Sequence, residues 1–500
     1  MTISKSDYML FLRHSAWLWL KKYQPERLPQ PDANLQAIFD TGHRFEAYAE
    51  QLFNGAVKLG FTGYEQYLSL PAKTQALLDQ YTPVILQGRL EVDGLTCIFD
   101  VLQRVDEKTL NLIEIKSSTK AKSEHFYDLA FQALILERLG WQINEISVLH
   151  VNNDYVRQGE IDPAQLTGRT EVTEEVKALL PATKELVEQA WAVVNSEQVP
   201  SFSPTLVNQV GVKDVGWFKD WLGIYKDLHP DLDSSSIYHL AGLNSKLLSE
   251  LDEQGIELLA DIPMATKLNS KQVAQIQATC SGERLINQPA IKEFLQSLQY
   301  PLYFFDYETL SSAIPFFDGM KPYQDYPFQY SLHVLRAPDA KLEHLEYLHS
   351  TNSNPMPELI AKLKSDLGEQ GSILAWNKVY EEKCNNTMAE LYPEEAEFLQ
   401  QVNERLVDLM LVFQQLYFVD KDFKGSASLK SVLPVLAPDC SYSDLNVSDG
   451  LLARRLWTNT ILLSQNEAEK EAILKDLSAY CTLDTFGMVR IFEELGKVVG

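Results

Sequence analysis

The sequence predicts a multi-domain α/β protein in which two α/β domains flank a helical middle region. The chain has 500 residues, enough for two to four domains of ordinary size. Short apolar strands that carry acidic residues occur in two separate clusters, one before residue 200 and one after residue 298. The segment between these clusters is patterned as helices and has no comparable group of acids. We therefore expect domains at 1–200 and 299–500, joined by a linker at 201–298.

The composition is that of an ordinary soluble globular chain, with 45% hydrophobic residues. No stretch of about 18 residues or more lacks charges, so we expect no membrane-spanning helix and no membrane partner. The apolar helix predicted at 8–22 carries Arg13 and His14 in its centre and has no small-residue cleavage site, so it does not resemble a signal peptide. Five widely spaced cysteines without a C-x-x-C pair indicate free thiols and a cytoplasmic location.

The first domain is predicted to contain a β-hairpin with a carboxylate on each strand. Residues 96–105 and 109–116 read as strands with a polar turn between them. Asp100 lies on the first strand, and Glu114 and Lys116 share one face of the second, because side chains two positions apart in a strand point the same way. Such carboxylates can hold a metal, and the ammonium can orient water or stabilise phosphate charge. A surface hairpin with a salt bridge would give the same pattern.

Helical segments on both sides of the hairpin carry further polar side chains. The helix predicted at 40–53 contains His43 and Glu46, and the helix predicted at 127–139 contains Tyr127 and Gln132. This order resembles the RecB-like PD-(D/E)XK nucleases, including the CRISPR-associated RecB-like exonucleases. The resemblance implies a restriction-endonuclease-like α/β/α core.

The same resemblance implies roles for individual residues of the first domain. Asp100 and Glu114 would bind one or two Mg²⁺ or Mn²⁺ ions, and Lys116 would be catalytic. Gln132 and Tyr127 would lie close by, and either His43 or Glu46 would be the ligand from the first helix. Many of these nucleases also hold an iron–sulfur cluster through four cysteines. Neither 12–17 nor 200–229 contains a cysteine here, so we expect no cluster, with ordinary packing in its place by residues that include Trp217, Phe218 and Trp221.

The middle region offers only a weak pattern. Residues 236–263 read as two short helices joined at Gly255. They are similar to a degenerate helix-hairpin-helix, a module whose hairpin amides contact DNA phosphates. A plain helical linker is the alternative, because the glycine signature of that module is incomplete.

In the last domain, an apolar strand at 303–309 carries Asp306 and Glu308. These two carboxylates point to one face, where they repel each other unless a cation lies between them. A divalent metal held by oxygen ligands would supply that cation, whereas a solvated turn would need none. Further strands read at 326–335 and 342–349 make a three-strand meander with the first.

Later segments supply two more acids and a tyrosine. Residues 372–376 read as a short strand, and Glu381 follows at the entry to a helix. A long helix predicted at 467–498 carries Tyr480 and Asp484, which share one face because they are four residues apart. Two-metal hydrolysis of a phosphodiester requires such a set of carboxylates, and a tyrosine can orient the attacking water. A half-exposed helix face would explain the tyrosine–aspartate pair alone.

In this arrangement, residues 299–500 resemble the RNase H-like 3′–5′ exonuclease superfamily that includes the proofreading subunits of DNA polymerases. The match is to the DnaQ-like branch whose last motif is Tyr-x-x-x-Asp. The resemblance implies an RNase H-like α/β fold and four acids that bind two Mg²⁺ or Mn²⁺ ions: Asp306, Glu308, Glu381 and Asp484. Tyr480 would orient the water. The superfamily usually has Asp where this chain has Glu381, and Asp408 is the competing candidate for that position.

As a whole, the chain resembles a bacterial family of unknown function that joins a RecB-like nuclease to an RNase H-like exonuclease; segments 424–430 and 442–450 are similar to its signature. The resemblance implies a metal-dependent nuclease that acts on nucleic acid, but membership of the family names no substrate. We expect the protein to act on single-stranded DNA ends, in repair or anti-phage defence. The alternatives are a nucleic-acid-binding scaffold with degenerate sites and an RNA-trimming exoribonuclease. A net charge of −25 opposes nucleic-acid binding, although local lysines could offset it.

Overall fold

A computed structural model describes residues 2–30, 33–212, 216–443, 445–464 and 467–500. It confirms the prediction of a mixed α/β, multi-domain chain. The first compact unit contains Met1–Leu232, Asn244–Ser249 and Ala313–Pro322, and the second contains Asp233–Leu243, Glu250–Ser312 and Tyr323–Gly500. The predicted linker at 201–298 is thus divided between the two units. Within the described ranges, no helix has both the length and the apolar character needed to cross a membrane.

A seven-stranded mixed sheet forms the centre of the first unit. Its strands are β1 (Ile3–Ser4), β2 (Val57–Lys58), β3 (Val84–Val92), β4 (Leu95–Arg104), β5 (Thr109–Lys116), β6 (Gln142–Val151) and β7 (Thr167–Glu171). Strands β2 to β7 follow one another across the sheet in chain order. Strand β3 pairs along one side of β4. On the other side of β4, β1 pairs in parallel with its first residues and β5 pairs with its last residues. The predicted hairpin is therefore confirmed as β4 and β5.

Helices pack on both faces of this sheet. The helices of the first unit are α1 (Lys5–Arg13), α2 (Ser15–Tyr23), α3 (Ala33–Ala49), α4 (Tyr64–Asp79), α5 (Ser123–Arg138), α6 (Pro163–Leu166), α7 (Thr173–Val194) and α8 (Trp217–Leu228). Alternate residues of β5 enter different cores, as the pleat requires. Leu112 packs with residues of α1, α5 and α7, whereas Ile113 packs in a second cluster with Phe45 of α3.

Two sequence predictions in these regions are wrong. The helix predicted at 8–22 is broken at His14, whose extended backbone ends α1 and begins α2. The ring of His14 accepts a hydrogen bond from the amide of Ala16 and also contacts the carbonyl of Ser203. In the middle region, α9 (Ser245–Asp252) is present, but only a 3₁₀ turn, Leu259–Asp261, follows Gly255. The chain there is extended, because the amide of Leu259 bonds to the carbonyl of Ser235.

The second unit is built on a five-stranded sheet. Its strands are β9 (Leu302–Leu310), β10 (Tyr326–Leu335), β11 (Glu343–Leu348), β12 (Ile373–Ala375) and β13 (Leu406–Asp408), in the order β11-β10-β9-β12-β13. Strands β9, β10 and β11 form the predicted antiparallel meander, and β12 and β13 continue the sheet in parallel. A separate two-stranded ribbon pairs β8 (Leu285–Ile286) with β14 (Phe418–Val419). Strand β9 lies inside the sheet, which explains its almost unbroken apolar sequence.

The helices of the second unit flank this sheet. They are α10 (Ser270–Ser281), α11 (Gln288–Gln296), α12 (Met356–Asp366), α13 (Val379–Leu391), α14 (Ala396–Arg405), α15 (Leu411–Gln414), α16 (Leu429–Leu436), α17 (Gly450–Trp457) and α18 (Glu467–Val499). The long helix predicted at 467–498 is confirmed as α18. Its buried residues, among them Met488 and Ile491, pack with Phe304 of β9 and Leu433 of α16. This packing fixes α18 against the strand that carries the Asp-x-Glu pair.

Candidate metal centre and second carboxylate cluster

The Asp-x-Glu pair lies on β9, between β10 and β12. Asp306 is opposite Ser331 of β10, and Glu308 is opposite Gln329. Ligand atoms of Asp306, Glu308 and Cys481 all lie within 4.8 Å of one another. The structure therefore brings these two carboxylates together, as the alternation of side chains along a strand predicts.

Helix α18 supplies the next acid together with its neighbours. The Tyr442 hydroxyl, from the loop after α16, donates a hydrogen bond to Oδ1 of Asp484. The Tyr480 hydroxyl also lowers the pKa of Asp484 by favouring its ionised carboxylate. The thiol of Cys481 contacts Oδ2 of Asp306 at 3.7 Å. Two tyrosines thus hold Asp484 beside the residues of β9, where the sequence indicated only Tyr480.

Glu381 and Asp408 have different surroundings, and these distinguish the two candidates for the middle acid. Glu381 lies in the first turn of α13 with only 1% of its surface exposed, and its Oε2 atom has no hydrogen-bond partner among the described residues. Oδ1 of Asp408 accepts hydrogen bonds of 3.0 Å from the main-chain amides of Asn377 and Met410. Asp408 therefore fixes the turn that starts at Asn377, where φ is +71°, whereas Glu381 keeps one carboxylate oxygen without a partner in the described part of the chain.

Repulsion among these acids comes mainly from Asp306 and Asp484. Burial, followed by repulsion from Asp484, raises the pKa of Asp306 well above its ordinary value. Burial and repulsion from Asp306 likewise raise the pKa of Glu308 and of Glu381. Burial raises the pKa of Asp484 to about 6, although hydrogen bonds from both tyrosines oppose this rise. Buried oxygen donors with uncompensated negative charge are what a divalent cation requires, so these residues fit Mg²⁺ or Mn²⁺.

Cationic groups near this centre do not pair directly with its carboxylates in the part of the chain that is described. The ammonium of Lys430 lies 5.8 Å from the ring centres of Tyr442 and Tyr480 and donates to the carbonyl of Ser448. The guanidinium of Arg454 is engaged by Thr309 and Asp325. Both charges oppose the rise in the pKa of Glu308, and Lys430 also opposes that of Asp484.

The start of α17 approaches the same centre closely. A Cβ atom added at Gly450 would lie 3.3 Å from Oε2 of Glu308. Asp449 caps this helix by accepting from the amide of Leu452 at 2.9 Å. Because Gly450 has no side chain, space remains beside the Glu308 carboxylate.

The first unit contains a second carboxylate cluster, and it is organised by ion pairs. Glu114 is buried and accepts from Lys116 at 2.6 Å through Oε1 and from Gln132 at 2.7 Å through Oε2. Asp100 accepts from the amide of Ile115 at 2.6 Å. Burial and repulsion from Glu114 raise the pKa of Asp100 to about 8. Asp100, Glu114, Lys116 and Gln132 are thus brought together.

Two members of this cluster were missed by the sequence predictions. Lys5 donates to Oε1 of Glu114 at 2.9 Å, and its ammonium is 3.2 Å from Oδ1 of Asp128. Asp128 also pairs with Lys116 at 3.0 Å. Burial alone would raise the pKa of Asp128, but Lys116 and Lys5 together hold it well below its ordinary value. A signal for Asp128 existed: it lies four residues before Gln132, on the same face of α5.

The remaining sequence predictions for this cluster have separate outcomes. Glu46 of α3 is partly buried, and repulsion from Glu114 contributes to its raised pKa after burial and Glu50. His43 on the same helix is exposed. The structure thus places Glu46 nearer the carboxylates than His43. The Tyr127 hydroxyl donates to the carbonyl of Val210 at 3.5 Å, so its hydrogen bond is made outside the cluster.

Comparison with known proteins gives matches of limited extent. Residues 303–428 match a family described as "Domain of unknown function (DUF2779)". This match includes Asp306, Glu308 and Glu381 and ends before Asp484. The chain is also 24% identical over 271 residues to "Uncharacterized protein UU173" of Ureaplasma parvum serovar 3, covering 50% of this chain and 37% of that protein. It is 27% identical over 218 residues to "Uncharacterized protein MG366 homolog" of Mycoplasma pneumoniae, covering 40% of this chain and 33% of that protein. The matched parts span about a third of the length of each of these two relatives.

Proposed function

We propose that the second unit is a metal-dependent 3′–5′ exonuclease that trims single-stranded DNA ends. One observation carries the proposal: four acids from a strand and two helices interact electrostatically, three of them buried and Asp306 half-buried, and no Lys or Arg side chain of the described residues pairs directly with them. Asp306, Glu308, Glu381 and Asp484 would hold the two ions. When bound, Mg²⁺ or Mn²⁺ supplies stabilisation of charge on the attacking and leaving oxygens of the phosphodiester.

The protein's own side chains have separate tasks in this proposal. Tyr480 orients a water molecule for attack from its buried position one turn before Asp484 on α18. Tyr442 positions Asp484 by donating to Oδ1. Lys430, beside both tyrosine rings, offers a positive charge to the incoming phosphate backbone. Because the chain carries a net charge of −25, only a nucleic-acid end that reaches Lys430 and the acids beside it would bind.

Digestion of end-labelled single-stranded DNA and RNA tests this function. Wild-type protein should shorten DNA from the 3′ end in Mg²⁺ or Mn²⁺ and should lose this activity in EDTA. Activity that survives chelation would reject the proposal. Preferential trimming of RNA would instead establish the exoribonuclease alternative.

For the first unit, the ion pairs favour a second candidate function, a nucleic-acid-binding module without cleavage of its own. The ammonium groups of Lys5 and Lys116 lie directly on Glu114 and Asp128, so these acids do not fit a resident divalent metal. RecB-like cleavage remains the competing proposal for this unit. Lys116→Ala distinguishes the two: loss of a separate product ladder would indicate cleavage, and unchanged products with weaker DNA binding would indicate a binding module.

A further inference from the structure

Two lysines and two acids alternate in the cluster of the first unit. Lys5 is 2.9 Å from Oε1 of Glu114 and 3.2 Å from Oδ1 of Asp128. Lys116 is 2.6 Å from the same Oε1 atom and 3.0 Å from Oδ2 of Asp128. Each ammonium therefore bridges both carboxylates, and the two positive charges balance those of Glu114 and Asp128. The third acid of the cluster, Asp100, accepts a hydrogen bond from the main-chain amide of Ile115.

The remaining acceptor atoms of these acids are also engaged. The Nε2 group of Gln132 donates to Oε2 of Glu114 at 2.7 Å and to Oδ1 of Asp128 at 2.9 Å. All four carboxylate oxygens of the pair thus have at least one donor or ammonium contact. A divalent ion would have to displace an ammonium from buried carboxylates, which costs the ion pairs as well as the hydration of the ion.

The position of Lys5 is fixed by the fold. Strand β1 ends at Ser4 and pairs with Leu95 and Thr96 of β4, which places the next residue beside the strands that carry Asp100 and Glu114. Ser4 and Asp7 form a capping box at the start of α1, and Lys21 pairs with Asp7 at 2.6 Å. The side chain of Lys5 is 22% exposed. It is therefore anchored at its main chain and covered for most of its length.

We infer that the Lys5 ammonium is the resident cation of this cluster, in the place where a metal-dependent nuclease site would hold a divalent ion. Glu114 and Asp128 are the groups that it neutralises, and Lys116 completes the balance. The two carboxylate centres of the chain then differ in kind: that of the second unit requires a metal, and that of the first is closed by a lysine. The inference does not depend on the exonuclease activity proposed above.

Manganese binding tests the inference without reference to activity. In an Asp306→Asn/Asp484→Asn background, which weakens the other centre, free Mn²⁺ would be followed by electron paramagnetic resonance. Lys5→Met should bind one additional Mn²⁺ per chain about tenfold or more tighter than the parent, because Glu114 and Asp128 lose one compensating charge. Lys5→Arg should behave like the parent, because it keeps the cation.

Parent protein that already binds Mn²⁺ as tightly as Lys5→Met would overturn the inference, as would a folded Lys5→Met variant that gains no affinity. Circular dichroism and thermal unfolding would establish that each variant is folded. If Lys5→Met does not fold, the acetylation rate of Lys5 in the wild-type protein provides the test. That rate should not change with Mn²⁺, and an increase would mean that the metal displaces the lysine. Mn²⁺ binding by the wild type that is absent from the double-variant parent would report on the second unit alone, whatever the result for Lys5. This inference and the exonuclease proposal can therefore fail separately.

Discussion

The main-chain amide of Asn377 donates a 3.0 Å hydrogen bond to Oδ1 of Asp408, and this bond engages the Asp408 carboxylate in the turn that leads to α13. Met410 donates a second amide hydrogen bond to the same atom. Asp408 therefore has a structural task in the turn between β12 and α13. Glu381, in the first turn of that helix, has the unpaired oxygen that a metal ligand needs.

Glu381→Gln should consequently weaken metal binding, whereas Asp408→Ala should lower stability. Glu381→Gln removes a ligand charge and should weaken Mn²⁺ binding by about tenfold or more with little loss of stability. Asp408→Ala leaves two amides without their acceptor and should lower the free energy of unfolding by about 1–3 kcal/mol while metal binding persists. Calorimetric Mn²⁺ titration and urea unfolding of both variants measure these effects. The reverse pattern would make Asp408 the ligand.

Removing the Tyr442 hydroxyl should shift the pH dependence of metal binding. The pKa of Asp484 is about 6, and the hydrogen bond from Tyr442 lowers it by favouring the ionised carboxylate. In Tyr442→Phe this pKa should rise, so the acid midpoint of Mn²⁺ binding should move to higher pH. Titrations across the range from pH 5 to pH 8 would measure the midpoint. An unchanged midpoint would contradict the role given to Tyr442.

The metal-free protein should lose stability as the pH rises. The folded pKa values of Asp306, Glu308, Glu381 and Asp484 are raised above those of an unfolded chain. Their stabilising contribution is complete below the unfolded value of about 4 and is lost as the pH rises through the folded values, with Asp484 near 6. The buried histidines His14, His125 and His333, whose pKa values are lowered, act in the opposite direction, so the wild type is compared with Asp306→Asn/Asp484→Asn. In EDTA the thermal midpoint should fall further between pH 5 and pH 8 in the wild type than in this variant, and Mn²⁺ should reverse the fall most at pH 8. An equal pH dependence of the two proteins would contradict this charge distribution.

Packing around Trp221 should be essential to the first unit. This side chain is fully buried, stacks on the ring of His14 at 4.1 Å and donates from its indole to the carbonyl of Phe202 at 3.0 Å. Trp221→Ala should lower the free energy of unfolding by about 3–5 kcal/mol. Lys219→Ala, at an exposed position on the same helix, is the control and should have little effect.

The prediction that no iron–sulfur cluster is present is tested by iron and sulfide analysis of anaerobically purified protein.

Much of the second unit could be predicted because its signals are local. The strands and long helix follow from apolar periodicity, and the Asp306–Glu308 pair follows from the alternation of one strand. Lys430 was expected near this centre as one of its local lysines, but Tyr442 was not assigned to it, since its contact with Asp484 of α18 crosses a long loop and no spacing rule connects the two residues. Lys5 was missed for the same reason: 109 residues separate it from Glu114, and only the pairing of β1 with β4 brings them together.

The most direct test of the metal centre is 3′-end trimming by an Asp306→Ala variant. Single-stranded DNA labelled at the 5′ end, so that shortened products stay visible, would be digested in Mn²⁺ by the wild type, by Asp306→Ala and by Glu382→Ala. Glu382 is the matched control, because it neighbours Glu381 but pairs with Lys378 at 2.8 Å. We expect a ladder of shortened products from the wild type and from Glu382→Ala, and none from Asp306→Ala. An undiminished ladder from a folded Asp306→Ala variant would contradict the assignment of the metal centre.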